Sequence, residues 1–236
     1  MITLTLFDTL LSTIPLLLAV MLYQWRLGRS SELAIAGARM VLQLVGVGYL
    51  LSVLFNYKLP AIGLLVVSFM MSVSAWIAIR PLQQKSWAIF RHALLSLGAS
   101  SLLHLCWILF VVLRLDPWYQ PQFVIPLAGM VLANGMNSLS VGAERLEAER
   151  ASHPKSEAAR IAFNAAMIPQ VNALLAVGLV SLPGMMTGQI LSGISPLEAV
   201  RYQIMVMSMV AGNSALALVL YLWLVRRGAV RDSEEA

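Results

Sequence analysis

The carboxylates are the first residues to test for chemistry: Asp8, Glu32, Asp116, Glu144, Glu147, Glu149, Glu157, Glu198, Asp232, Glu234 and Glu235. An intramembrane aspartyl hydrolase needs two acids facing each other. A proton-driven carrier needs a buried carboxylate that takes up and releases a proton. Every acid here falls at the end of an apolar run or between runs, and Asp8 lies nearest to an apolar interior. Energy for any pumping is therefore expected from another subunit. His104 and Cys106 are two residues apart in one apolar run, so on a helix they point to different faces. Without further ligands His104 reads as a hydrogen-bonded packing residue, and no metal ligand set can be assigned. One cysteine permits neither an intrachain disulfide nor a cysteine zinc cage. No Ser-His-Asp or Cys-His spacing and no Gly-x-x-x-x-Gly-Lys loop occurs, so the chain is expected to be neither an enzyme nor an ATP binder by that device, and to carry no cofactor of its own.

Amides recur at helical spacing. Met130, Asn134 and Asn137 fall at i, i+4 and i+7, with Gly129, Ala133, Met136 and Ser140 on the adjoining small face. Ala165, Pro169, Asn172 and Ala176 form a second stripe, in which Pro169 frees a carbonyl that must find another partner. Arg39, Gln43 and Gly46 form a third. Such stripes serve either as contacts between helices, where small residues allow close approach and amides bond across it, or as a polar path for a solute. Met130, Pro169 and the named amides, together with Arg39, are the path candidates. The 13 methionines suit core filling, and thioether sulfur suits Cu(I) better than iron.

The elements that carry these residues are apolar. The chain is 59% hydrophobic and 11% charged over 236 residues, with a mean hydropathy of +0.80. Soluble domains carry roughly 25% charged residues, so the solvent around most of this surface is lipid. Runs long enough for a membrane helix of ~20 residues lie at Phe7–Tyr23, Ala38–Phe55, Pro60–Ile79, Ala93–Leu113, Phe123–Val141, Phe163–Leu182 and Tyr202–Val225. The fold expected is an all-α polytopic bundle of about seven transmembrane helices forming one domain over 1–236.

The first run lacks a basic n-region and is followed by Arg26 and Arg29, so it reads as an anchor rather than a cleaved signal. With the N-terminus outside, Arg26, Arg29, Arg39, Arg80, Lys85, Arg91, Arg145, Arg150, Lys155, Arg160, Arg226, Arg227 and Arg231 lie inside. Lys58, Arg114 and Arg201 lie outside, and 13 + 3 accounts for all 16 basic residues. That bias gives N-out, C-in. The net charge of +5 thus marks cytoplasmic loops rather than nucleic acid.

Three segments stand apart. Residues 142–160 form the longest hydrophilic stretch, read as a cytoplasmic loop or solvated helical hairpin. There Glu144, Glu147 and Arg150 are candidates for contact with a cytoplasmic partner. Residues 183–193 face outward in this topology yet are apolar and glycine-rich. They read as a re-entrant or interfacial element, with Pro183, Gly184, Met185, Met186, Gly188 and Gln189 as gate or interface candidates and both methionines packed inward. Residues 228–236 read as a disordered tail.

The runs Val124-Ile125-Pro126-Leu127-Ala128-Gly129-Met130 with Asn134, Ala166-Met167-Ile168-Pro169, Leu182-Pro183-Gly184-Met185-Met186-Thr187-Gly188 and Tyr202-Gln203-Ile204-Met205-Val206 form a recognisable set. With Gly37-Ala38-Arg39, Gln43-Leu44 and Gly48-Tyr49 they resemble the iron-export ABC permease family (Fet-type), whose plant relatives are tied to aluminium tolerance. The resemblance covers nearly the whole chain. It implies a bacterial inner-membrane permease subunit present in two copies, with a separate ATP-binding subunit that carries ATP and Mg. One departure is Arg150-Ala151-Ser152-His153-Pro154, which lacks the glycine of the family's Leu-Gly-Ala-Thr-Pro-like turn, so contacts there do not carry over residue by residue. "Iron" comes from the resemblance alone. The rival readings are a stand-alone channel or facilitative carrier and, without a catalytic set to support it, a membrane enzyme on lipid-linked substrates.

The orientation is testable. In a Cys106→Ala background, Glu147→Cys should react with an impermeant thiol reagent only from the cytoplasmic side and Asp116→Cys only from outside. The opposite labelling would reverse the topology.

Overall fold

A computed structural model describes residues 5–27, 30–56 and 59–234. Apart from an isolated bridge between Val177 and Ser181, the regular structure of these residues is helical. The chain divides into two units, 1–57 and 58–236.

The first unit begins with a short helix α1 (Leu6–Leu11), followed by α2 (Ile14–Leu27) and α3 (Ser30–Asn56). Thr5 and Asp8 form a capping box. The Thr5 hydroxyl accepts from the Asp8 N–H at 3.2 Å, and the Asp8 carboxylate accepts from the Thr5 N–H at 2.9 Å. The acid nearest the membrane interior therefore satisfies helix-end donors. A Cβ at Gly37 would stand 3.0 Å from Leu16, so the glycine lets α3 close on α2.

The second unit holds α4 (Pro60–Ala78), α5 (Trp87–Cys106) running on into a π-helical turn (Trp107–Val112), α6 (Pro121–Glu149), α7 (Lys155–Ala176), the short α8 (Gly184–Leu191) and α9 (Pro196–Glu234). Prolines at the first turns of α4 and α6 cost no hydrogen bond there. The Ser86 hydroxyl caps α5 by accepting from Ile89 N–H at 3.2 Å. Helix α7 returns antiparallel to α6: Leu146 packs with Ala158 and Ala162, Gly142 faces Ala166, and Ser138 meets Gln170. Helix α9 then runs parallel to α6 and antiparallel to α5. Gly135 and Gly142 meet Asn213 and Leu218, whereas Ser100 meets Asn213 and His104 meets Gly212.

Among the described residues six helices are long and apolar enough to cross a membrane: Phe7–Arg26, Ser31–Ser52, Pro60–Ala78, Trp87–Val112, Pro121–Glu149 and Pro196–Arg227. The expected run Phe163–Leu182 is not one continuous helix. Helix α7 ends at Ala176 because Val177 is extended, Gly178 takes φ +82° and Pro183 precedes α8. Its first turns carry Lys155, Glu157 and Arg160, which lower its hydropathy. At 22 residues it is still about 33 Å long. Residues 142–160 are mostly not a loop, since α6 continues to Glu149 and α7 starts at Lys155. The tail expected to be disordered from 228 has helical backbone to Glu234, while 235–236 lie outside the described residues.

The second unit is tied at its centre by one amide. Asn213 is fully buried. Its Nδ2 donates to the Val131 carbonyl at 2.8 Å, its Oδ1 accepts from the Ser101 hydroxyl at 3.2 Å, and its backbone carbonyl accepts from the Ser100 hydroxyl at 2.9 Å. Helices α5, α6 and α9 thereby meet at one side chain. A Cβ at Gly135 would come 2.6 Å from the Asn213 amide nitrogen, so the contact requires glycine. Apolar clusters lie on both sides. One contains Leu105, Leu109, Leu127, Val131 and Met209, and the other Ala75, Ala93, Leu97, Leu139 and Tyr221.

Asn213→Ala should lower the stability of the detergent-solubilised protein by about 1–2 kcal/mol, from hydrogen bonds of ~0.6 kcal/mol each in a membrane plus the cavity left behind. Asn134→Ala removes an amide that donates only to Met130 O of its own helix, at 2.9 Å. It should move the unfolding midpoint much less, and equal shifts would deny Asn213 its central role.

Candidate functional site

The path candidates are not gathered inside the second unit. Met130 is half-buried against the Leu105–Met209 cluster, and Asn134 is half-buried. Asn137, Pro169 and Asn172 are exposed, off the α7 stripe of Ala158, Ala162, Ala166 and Gln170 that is buried. Arg39 and Gln43 are exposed on α3 in the first unit. Only Met130 and Asn134 reach toward the interior, and the other path candidates lie on outer surfaces. The buried polar set is instead Ser96, Ser100, Ser101, Ser138, Gln170, Gln203, Asn213 and Ser214. The sequence signal for Asn213 was an isolated amide between Gly212 and Ser214 in a long apolar helix.

At the end of the second unit where α6 meets α7, Glu147 faces inward. Its carboxylate accepts from the backbone N–H groups of Gln83 and Gln84 at 3.0 and 3.3 Å. It thus clasps the α4–α5 connection to α6, and no local pattern signals that contact. Glu144 and Arg150 are exposed. Arg150 lines a cleft of about 270 Å³ together with Glu147, Gln84 and Tyr221. Glu149 pairs with Arg145 at 2.5 Å and with His153 Nδ1 at 2.8 Å, which fixes the turn into α7.

At the opposite end, residues 183–193 contain an eight-residue helix, α8, with Pro183 as its N-cap. Met185 packs against the Leu105–Met209 cluster, and Met186 lines a cleft of about 300 Å³ with Gln203. Both methionines are half-buried. Gln189 has a buried amide oxygen without a hydrogen-bond partner. Nothing lies within 4 Å of a Cβ built at Gly184 or Gly188, so close approach within this chain does not explain these glycines. Gly178 and Gly193 do need glycine, at φ +82° and +94°.

The connection before α6 is anchored by Tyr119, whose ring lies where a Gly63 side chain would stand. A Cβ there would be 2.1 Å from the phenolic oxygen. Burial pushes the Tyr119 phenol above its ordinary pKa. His104 behaves as a packing residue: its Nδ1 lies 2.9 Å from the Ser100 carbonyl, and a Cβ at Gly212 would fall 2.7 Å from Nε2. Among the described residues no three His, Cys, Asp or Glu side chains cluster to hold a metal. The arrangement offers a bundle with surface amides, a charged end and apolar clefts.

Comparison with known proteins places this arrangement. The family described as "Uncharacterised protein family (UPF0014)" matches residues 6–161 and 149–230. The UPF0014 membrane protein slr1647 of Synechocystis sp. is 38% identical over 218 residues, covering 85% of this chain and 84% of its own length. The UPF0014 membrane protein STAR2 of Oryza sativa subsp. japonica is 34% identical over 215 residues, 84% of this chain and 74% of its own. The protein named "Probable iron export permease protein FetB" of Escherichia coli is 32% identical over 205 residues, 80% of this chain and 78% of its own. No solved structure matches the chain. With its spans on the membrane-length helices described above, the chain is a membrane protein of the UPF0014 family.

Proposed function

We propose that this chain is the membrane-spanning permease subunit of an ATP-driven (ABC) exporter of metal ions such as iron, or of a metal-related solute, in a bacterial inner membrane. Two copies work with a separate ATP-binding subunit, on which ATP and Mg are held. The observation that carries the reading is the likeness, across 80% of this chain, to a relative named as an iron export permease.

The geometry suits transmission of force from a cytoplasmic partner. In the N-out topology the Glu147 clasp lies inside and joins the 81–86 connection to the α6–α7 hairpin. A push on exposed Glu144 or Arg150 is then delivered to α4, α5, α6 and α7 together. The exposed amides of Asn137 and Asn172 suit a wet path, because a lipid tail can satisfy neither their donors nor their acceptors.

The test is co-purification with the candidate ATP-binding subunit, followed by the effect of metal ions on its ATP turnover. Glu144→Lys should reduce co-purification about tenfold, the factor that loss of one ~1.4 kcal/mol contact gives, with no change in thermal stability. Glu147→Ala should instead lower stability by about 1.5–3 kcal/mol, the range for hydrogen bonds to a charged group. Undiminished assembly in Glu144→Lys moves docking to Arg80–Arg91. Solute flux through vesicles holding this chain alone, without ATP, would favour the channel or carrier.

Asn137→Leu keeps the volume of the side chain and removes its amide. Transport should fall while protein level holds. A parallel fall in both would assign the amide to helix contacts.

A further inference from the structure

The second unit carries a cleft of about 590 Å³ between α5 with its π-helical turn and the first half of α9. One wall is built from Leu103, Trp107, Ile108 and Val112, the other from Ile204, Met205 and Met209. Arg201 stands at its outer end. Trp107 is 59% exposed and Ile204 61%, so the cleft is open along its side. In a membrane protein that opening faces apolar solvent. We propose that this cleft is a binding site for one anionic phospholipid, with an acyl chain lying between the π-helical turn and α9 and the phosphate held by Arg201.

Four observations point to that ligand. The first is charge. Arg201 is exposed and makes no ion pair among the described residues, although Glu198 lies one turn before it. The Glu198 carboxylate instead takes the Ser195 hydroxyl at 3.2 Å. A guanidinium at the rim of an apolar groove suits a phosphate, with which it can form two parallel hydrogen bonds.

The second is depth. Arg201 and Met209 are eight residues apart on a helix, which is about 12 Å at ~1.5 Å per residue. The half-thickness of a bilayer core is ~15 Å. The apolar wall therefore runs for most of one leaflet and ends near the bilayer midplane, as an acyl chain does.

The third is the π-helical turn itself. Leu113 N–H bonds back to Ile108 O at 2.8 Å, five residues earlier. A π turn is rare and frequently found at functional sites. Here it shapes the wall facing α9.

The fourth is the polarity of the floor. His104 lines the cleft, but its Nδ1 is held by the Ser100 carbonyl and its Nε2 lies against Gly212. Ser208 supplies the one hydroxyl of the lining. Among the described residues no three His, Cys, Asp or Glu side chains gather here, and a polar solute would find few partners. In the N-out topology the leaflet concerned is the outer one.

The test uses the full chain in nanodiscs with Trp107 as the sole tryptophan, the other five changed to phenylalanine. Trp107 fluorescence is quenched by phosphatidylglycerol or phosphatidylcholine brominated in the acyl chain. The expected result is a site occupied about fivefold more readily by the anionic lipid, the effect of about one basic residue at a membrane surface. Arg201→Gln should bring the ratio to about one, and Arg201→Lys should keep most of it. Equal quenching by the two lipids in the parent chain would mean ordinary boundary lipid and overturn the proposal. So would a preference that survives Arg201→Gln. Loss of the preference on adding inorganic phosphate would identify a soluble-anion site instead, which also overturns it. Native mass spectrometry of the chain with all its tryptophans provides a second reading. Arg201→Gln should lose one tightly held phosphatidylglycerol, and retention of that lipid counts against the site even if the single-tryptophan chain misfolds.

Discussion

The second unit depends on the burial of one amide among three helices. In lipid there is little hydrophobic force pushing one apolar helix onto another, so association rests on close packing and on polar groups that lipid cannot satisfy. Asn213 supplies both. It bonds across to Val131 on α6 and to Ser100 and Ser101 on α5. It can do so only where the backbones come close, and glycine at 135 permits this. Once these three helices are registered, the alanines and leucines above and below fall into contact without further polar guidance.

The same logic repeats with smaller pieces. Helix α7 closes on α6 through Ala158, Ala162 and Ala166, with Gln170 Nε2 donating to the Ser138 hydroxyl at 3.4 Å. Helix α4 closes on α5 at Gly98, where a Cβ would come 2.8 Å from the Met71 sulfur. Small residues mark the contacts and hydroxyls or amides set the register. The bulky side chains left over, such as Trp76, Leu95, Trp107 and Leu175, stay exposed, as suits a surface solvated by lipid.

The two ends of the second unit differ in kind. One is charged and held by directed contacts: Glu147 to the backbone of Gln83 and Gln84, and Glu149 to Arg145 and His153. The other carries Arg114, Asp116, Glu198 and Arg201 without ion pairs among the described residues, and is held by packing, with Met185 of α8 against the Leu105–Met209 cluster and Tyr119 wedged against Gly63. The buried centre at Asn213 lies between the two ends. Of the amides singled out as a path, Asn137 and Asn172 lie exposed on the flank and Asn134 is half-buried.

Much of this protein follows from local pattern. Apolar run length decides which segments leave water, and proline and serine at the first turns decide where α4, α5 and α6 begin. The eleven acids lie at the ends of the apolar runs or between them because burying one in lipid costs several kcal/mol, and Asp8, inside the end of the first run, serves as a cap. The motif runs around Pro126, Pro169 and Pro183, read as a resemblance to Fet-type permeases, carried the family, and the UPF0014 match bears this out.

What local pattern did not carry is which amide faces which helix. Asn137 and Asn213 sit in similar apolar surroundings along the chain, yet one is exposed and the other wholly buried. The bonds that decide it link residues 82 and 113 positions apart, and the Glu147 clasp spans 63 and 64. Helical periodicity places a residue on a face but does not say what that face meets, since in lipid an apolar face has no intrinsic partner. Only the close approach of three backbones, permitted by missing side chains, turns Asn213 into the centre and leaves Asn137 and Asn172 on the surface.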